Sequence, residues 1–250
     1  MSSERVLLGP GPSLLPPAVV EAMSRPQCGH MDPALVPLLD ETVGLLRRVF
    51  QTRNELTLPV SGTGTAGMEA TLRHLLADEA LLVVCTAGYL DLEALWQYWG
   101  PLHVYHHTVP VPLVYALHAA LRLVVEEGVE ARVARHHRHA RMLWRGLEAL
   151  GLELFVPEAD RAPTLTTVRV PAGADDERVR ARLLHDYGIE IAGGLGQLRG
   201  TIWRIGLMGH SSQARHVVLL LGALAQVLAA EGLRVPAAAE VARAALQAER

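Results

Sequence analysis

ELTLPVSGTGTAGMEATLRHLLADEALLVV, residues 55–84, is the stretch on which the fold reading turns. Glu55 to Val60 reads as a short strand, Ser61 to Gly67 as a glycine-rich turn, Met68 to Leu76 as a helix, and Leu81 to Val84 as an apolar strand. Together they form one βαβ unit, the repeating piece of an α/β fold. A turn between strand and helix collects free N–H groups and the positive end of the helix dipole, which attract a phosphate, and hydroxyls there add hydrogen bonds. An ordinary glycine turn has the same composition, so the motif by itself leaves both readings open.

Outward from this unit the alternation stops. Cys85 to Gly88 runs into the aromatic, helix-like stretch Tyr89 to Trp99, without the further strand–helix repeats of a doubly wound sheet. Upstream, Leu7 to Ser13 is a Pro/Gly-rich arm, Ala18 to Met23 suits a helix entered through Pro16 and Pro17, and Pro33 to Phe50 repeats apolar residues at helical spacing. Downstream, Pro112 to Glu127 and Val129 to Leu150 read as long helices punctuated at Gly128. The remainder reads as an α+β module. Its strands fall near Glu153 to Phe155, Leu165 to Val170, Ile189 to Ala192 and Ile202 to Ile205, its helices at Asp176 to Tyr187 and Ser212 to Glu231, with a last helix from Ala237 to Gln247. The expected class is α/β, divided into an arm (1–20), a larger section ending in its linking helix (21–128), which the resemblance described below makes a remnant of a large domain, a small α+β domain (129–234) and a helical tail (235–250). Strands 55–60 and 81–84 are expected to pair directly, since an isolated strand leaves its ladder groups unsatisfied.

Composition narrows the chemistry. Half of the 250 residues are hydrophobic, enough for a real core. A formal net charge of -3 offers no electrostatic footprint for a nucleic acid. The longest apolar run, Val217 to Ala230, is too short to span a bilayer, for which about 20 residues are needed, and the first residues do not read as a secretory signal, so a cytoplasmic protein is expected. Cys28 and Cys85 lack partners at metal or redox spacing. His136 and His139 share a helix face, as do His103 and His107 if helical, but no carboxylate or cysteine joins them at ligand spacing and no metal is expected. All 23 Lys+Arg residues are arginine, which excludes any mechanism that needs an amine side chain.

Six segments in order carry a resemblance: Leu8 to Ser13, Cys28 to Asp32, Val60 to Ala70, Tyr105 to Thr108, Gly193 to Gly196 and Trp203 to Gly209. They resemble the class V, fold-type I pyridoxal-phosphate aminotransferases, nearest the alanine–glyoxylate/serine–pyruvate group. The resemblance implies a large domain binding pyridoxal 5'-phosphate and a small C-terminal domain. It implies that Ser61, Gly62, Thr63, Gly64 and Thr65 cradle the cofactor phosphate, and that Tyr105 and Thr108 reach the phosphate of a neighbouring subunit, hence a homodimer. It further implies that Arg204 grips the α-carboxylate of a small amino acid or 2-oxo acid, a role suited to a guanidinium. Gly9, Gly11, Gly29 and His30 resemble the arm and loop that close over substrate. Without the resemblance, Arg204 reads first as an edge-strand arginine paired with a surface acid, since charged residues are mostly exposed, and His30 reads equally as a packing residue.

In that family a long alternating segment follows the strand matching Leu81 to Val84. It supplies the group stacked on the pyridine ring, the aspartate on its nitrogen and the lysine of the internal aldimine, and it is missing here. The expected protein is therefore an aminotransferase relative without turnover of its own; the alternatives are a non-catalytic dimerisation or anion-binding module, or one half of a split enzyme.

Overall fold

The computed structural model describes residues 5–75 and 91–247, with side chains of the helix ending at Leu75 described as far as Thr71. In chain order the elements are β1 (Val6–Leu7), α1 (Pro17–Met23), α2 (Val36–Val49), α3 (Gly64–Leu75), α4 (Leu92–Trp99), α5 (Val111–Glu127), α6 (Val129–Ala149), β2 (Leu165–Arg169), α7 (Asp176–Tyr187), β3 (Ile189–Glu190), β4 (Ala192–Gly193), β5 (Ile202–Gly206), α8 (Ala214–Ala230) and α9 (Ala238–Gln247). They fall into two compact units, one of residues 1–15 and 130–250, the other of residues 16–129.

The first unit is built on a three-stranded antiparallel sheet with β5 between β2 and β4. The arm supplies β1, which pairs in parallel with β3, Val6 opposite Ile189. Leu8 is fully buried in a core that includes Leu143, Leu147, Val168, Leu183, Trp203, Ile205, Leu220, Leu224 and Leu228. Helix α7 begins where the Asp175 carboxylate accepts from the Arg178 N–H, and ends at Gly188 in the left-handed conformation (φ 68°), as caps of those types dictate. The all-apolar run of α8 is explained by burial of Val217, Leu220, Leu221, Leu224, Val227 and Leu228. Among the described residues no helix is long and apolar enough to cross a membrane. Helix α9 docks on α8 through the buried Val241 and Ala245.

The second unit is helical among its described residues. Its main core gathers Leu35, Leu39 and Val43 of α2, Tyr98 and Trp99 of α4, and Val111, Val114 and Tyr115 of α5. Asp91 caps α4 by accepting from the Glu93 and Ala94 N–H groups.

Several expectations need correction. Residues 55–60 form no strand: Arg47 takes the Asn54 and Glu55 carbonyls, at 3.0 and 2.7 Å, and Thr57 bonds back to the same two carbonyls, so the segment is held locally. Its expected partner, 81–84, lies outside the described residues, as do Cys85 and the first part of the 89–99 helix. Helix α3 starts at Gly64, four residues earlier than read, and so takes up Gly64 and Thr65. The strand expected at 153–155 shrinks to one bridge, Leu154 with Val168, and that at 189–192 divides at Ile191 into β3 and β4 of separate sheets.

Candidate functional site

The residues singled out from sequence divide between the two units: Gly11 and Arg204 lie in the first, and Gly29, His30, Ser61 to Thr65, Tyr105 and Thr108 in the second. Each group is described within its own unit.

In the second unit the turn before α3 is short. Gly62 takes φ 159°, and a Cβ there would lie 2.8 Å from that of Ala66, so the chain bends tightly into the helix. The Thr63 hydroxyl accepts from the Ala66 N–H at 3.4 Å, an N-cap position, while Gly62, Thr63, Gly64 and Thr65 remain exposed. Exposed N–H groups at a helix start present donors and positive potential to an anion.

A histidine–tyrosine cluster adjoins this turn. Ser61 Oγ lies 3.2 Å from His107 Nε2, and His107 Nδ1 lies 2.9 Å from His106 Nδ1. The two imidazoles share one proton across that contact, so the tautomer of His107 decides whether Ser61 donates or accepts. Burial, then the neighbouring imidazoles of His106 and His30, hold His107 below the ordinary imidazole range. Tyr98 stacks at an angle on His107, with 5.8 Å between centroids, and donates to the His30 carbonyl at 2.9 Å. Burial, then the Cys28 thiol, raises the Tyr98 phenol above its usual value. The Tyr105 ring packs 5.3 Å from that of His30 in the same chain, and both Tyr105 and Thr108 are exposed. Gly29 meets nothing closer than Asp32 at 4.0 Å and has no positive φ, so its local backbone does not require glycine.

His107 was not among the expected cradle residues, although it touches Ser61. Its signal in the sequence was the His106–His107 pair itself, which does not announce a partner 46 positions away.

In the first unit Arg204 sits at the middle of β5, opposite Thr167 on one side and Ala192 on the other. This is the central strand of its sheet. The edge-strand alternative is thereby set aside. Arg204 Nε donates to the Gly193 carbonyl at 2.7 Å, which fixes the half-buried guanidinium plane, and no described carboxylate is within ion-pair distance. The arm crosses the end of β5: Gly206 N–H donates to the Leu8 carbonyl at 2.7 Å, and a Cβ on Gly206 would stand 2.0 Å from the Gly9 carbonyl oxygen. Gly11 takes φ 143°, and Leu14 N–H reaches Ser211 Oγ at 3.1 Å. The arm glycines and the strand carrying Arg204 are thus brought together. The glycine loop beyond β4 folds tightly back on itself, since a Cβ on Gly194 would lie 2.0 Å from the Leu198 carbonyl oxygen.

His136 and His139 are buried and bonded, His136 Nε2 to the Gly209 N–H at 3.2 Å and His139 Nδ1 to Ser212 Oγ at 3.1 Å. Among the described residues no group of three or more metal-ligating side chains gathers.

The class-V aminotransferase family model matches residues 85–203. The chain is 44% identical over 143 residues to the (S)-ureidoglycine–glyoxylate transaminase of Bacillus subtilis, a match covering 57% of this chain and 34% of that protein, about a third of its length. The crystal structure of the ureidoglycine–glyoxylate aminotransferase of that bacterium superposes with a TM-score of 0.89 at 25% identity, over 99% of this chain and 98% of the other. An alanine–glyoxylate aminotransferase from Nostoc superposes with a TM-score of 0.82 at 32% identity, over 91% and 96% of the two chains. Alanine–glyoxylate aminotransferase of Drosophila melanogaster is 25% identical over 370 positions, 92% of this chain and 94% of that protein. The chain belongs to the class-V aminotransferase family and has the fold-type I, mixed α/β architecture of these structures.

The family implies pyridoxal phosphate. The phosphate end has candidate partners here, in the exposed N–H groups and hydroxyls from Ser61 to Thr65. The imine end has none, because the sequence holds no lysine side chain. The residues present do not fit the covalently held group.

Proposed function

We propose that this chain is an aminotransferase-family protein of the alanine- or serine-to-glyoxylate or pyruvate type that does not turn over alone, and that it is cytoplasmic and homodimeric. One observation carries the reading, namely a family fold whose sequence offers no side-chain amine. Arginine cannot substitute, because its guanidinium is delocalised and stays protonated. A missing central block supports the same reading: 370 positions aligned against 92% of a 250-residue chain leave about 140 positions without a residue of this chain.

What the chain retains is binding chemistry. Arg204, fixed through Nε, presents its remaining N–H groups to a substrate carboxylate. Ser61 to Thr65 offer donors to a phosphate, with Tyr105 and Thr108 as candidates to complete that site across a dimer. Held this way, pyridoxal phosphate is released on dilution.

The test is to mix the protein with pyridoxal phosphate, treat half with borohydride, and measure intact mass together with turnover of alanine or serine against glyoxylate or pyruvate. The expected result is neither turnover nor retained mass. Stoichiometric reduction onto one internal site, with the Met1 amine excluded by peptide mapping, overturns the proposal. The size of the missing block also favours a second reading, one half of a split enzyme. Transaminase activity appearing on co-expression with a chain that carries the block would establish it.

A further inference from the structure

The contacts from Ser61 through His107 to His106 run in the order of an acyl-transfer centre: a hydroxyl, an imidazole, and an acceptor that orients the imidazole. Ser61 Oγ lies 3.2 Å from His107 Nε2, and His107 Nδ1 lies 2.9 Å from His106 Nδ1. Both distances fall within the reach of about 2.6–3.2 Å over which such a chain moves protons. In one tautomer of the pair the shared proton sits on His107 Nδ1 and is donated to His106, which turns the Nε2 lone pair to the Ser61 hydroxyl.

The surroundings hold that arrangement. His107 is 7% exposed, edge-on to His106 at 5.1 Å between centroids and tilted against Tyr98 at 5.8 Å, and Tyr98 is itself tied to the His30 carbonyl. Burial, then the imidazoles of His106 and His30, keep His107 below the ordinary range, which favours the unprotonated form that a base requires. Ser61 is only half-buried, and the turn after it is open: Gly62 to Thr65 are exposed, and a Cβ on Gly64 would meet nothing within 4 Å. Among the described residues the N–H groups of Gly62, Thr63 and Gly64 have no acceptor. The N–H of the residue after a nucleophilic serine is a common donor to the oxyanion that forms on attack.

We propose that Ser61 is a nucleophile toward small activated acyl esters, with His107 as its general base and His106 as the residue that positions His107. Ser61 Oγ forms a bond to the ester carbonyl carbon while its proton passes to His107 Nε2. The bond from that carbon to the alcohol oxygen then breaks, and His107 returns the proton to the leaving oxygen. Water attacks the acyl-serine in the same way, its proton passing through His107 to Ser61 Oγ as the acid leaves. An imidazole in the third place stabilises the cation on His107 less than a carboxylate does, which restricts the reaction to esters with good leaving groups. The reaction needs neither an amine nor pyridoxal phosphate and stands apart from the transaminase reading.

The probe is a short-chain alkyl fluorophosphonate, which transfers its phosphonyl group to an activated serine with loss of fluoride. It is applied to the full chain without pyridoxal phosphate and followed by intact mass and peptide mapping. The expected result is one adduct per chain, on Ser61, and none on Ser61→Ala. His107→Asn is expected to slow labelling by at least about a hundredfold, the lower end of what a positioned base contributes. Because His107 is buried, that variant is read together with its circular dichroism, and Ser61→Ala, at a half-buried position, keeps the proposal decidable if it unfolds. His106→Ala is expected to slow labelling, and His106→Asn, which keeps an acceptor near the place of Nδ1, to restore it; failure to restore would remove His106 from its part. Replacing the exposed His137 with asparagine is expected to change nothing. No adduct, an adduct that survives Ser61→Ala, or undiminished labelling of folded His107→Asn would each overturn the proposal.

Discussion

Replacing Gly206 with alanine tests whether the arm is an integral part of the first unit. The new methyl would stand 2.0 Å from the Gly9 carbonyl oxygen and 2.8 Å from its carbon, and both are backbone atoms that no rotamer change can move. Either β5 shifts, which its ladders on both sides oppose, or the arm leaves. Departure of the arm breaks the bonds from Leu8 N–H to the Glu190 carbonyl and from Gly206 N–H to the Leu8 carbonyl, and it withdraws Leu8, now fully buried, from the core. Emptying a leucine site in a packed core costs about 2–5 kcal/mol, and lost backbone bonds are partly offset by the freedom the arm regains. Gly206→Ala is therefore expected to lower unfolding stability by about 2–5 kcal/mol in urea titration. Amides 6–8 should lose their hydrogen-exchange protection.

The Leu8→Ala variant separates this cause from a general distortion of β5. If the alanine methyl acts by expelling Leu8, then Leu8→Ala costs a similar amount, and the double variant costs little more than either, because both remove the same contact. Additive costs would place the damage in the sheet. A Gly206→Ala cost below about 1 kcal/mol, the middle of the range for ordinary substitutions, would refute the close approach itself.

Other expectations follow from single sites. Asp176 accepts from the indole N–H of the fully buried Trp203 at 2.9 Å and from Arg180 Nε at 2.7 Å. Asp176→Ala is expected to cost about 2–3 kcal/mol in denaturant unfolding, by leaving a buried donor unmet, with Asp176→Asn milder because it keeps an acceptor. His107 and His210 are both held, chiefly by burial, below the ordinary imidazole value of 6.5. Below that pH the unfolded chain binds protons that the folded chain refuses, so stability is expected to fall as pH drops from above 6.5 toward their lowered folded values. Equal urea midpoints at about pH 7.5 and 5 would contradict this.

Local rules explain what the sequence made legible. The span of α7 was readable at both ends because Asp175 and Gly188 are capping residues that act within a few positions of themselves. Segment 55–60 misled because a strand is completed by a partner, and here the Asn54 and Glu55 carbonyls at its start are claimed by Arg47, a tertiary contact without local signature. β1 went unnoticed for the converse reason. Two strand residues inside a Pro/Gly-rich arm show no period, and their pairing is with Ile189 and Glu190 far along the chain. At the site, Arg204 stood out because a charged residue among Ile202, Trp203 and Ile205 needs a reason, whereas the Ser61–His107 contact joins positions 46 residues apart with no local signal of their pairing.

The all-arginine composition acts in opposite directions on the two chemistries an aminotransferase site must combine. Carboxylate capture favours a guanidinium, whose planar fork makes two parallel bonds and whose charge persists at any working pH. Arg204 is further oriented by its bond to Gly193. Imine formation requires a neutral primary amine, which lysine provides when its pKa is lowered and which a guanidinium, protonated and delocalised, does not. Histidine can carry a proton, but an imidazole has no primary amine to form the imine. A chain of this composition can thus keep the recognition half of the site in working order while the covalent half has no residue to rest on. The two halves are separable by experiment, since carboxylate binding that depends on Arg204 should survive in a protein that borohydride leaves unlabelled.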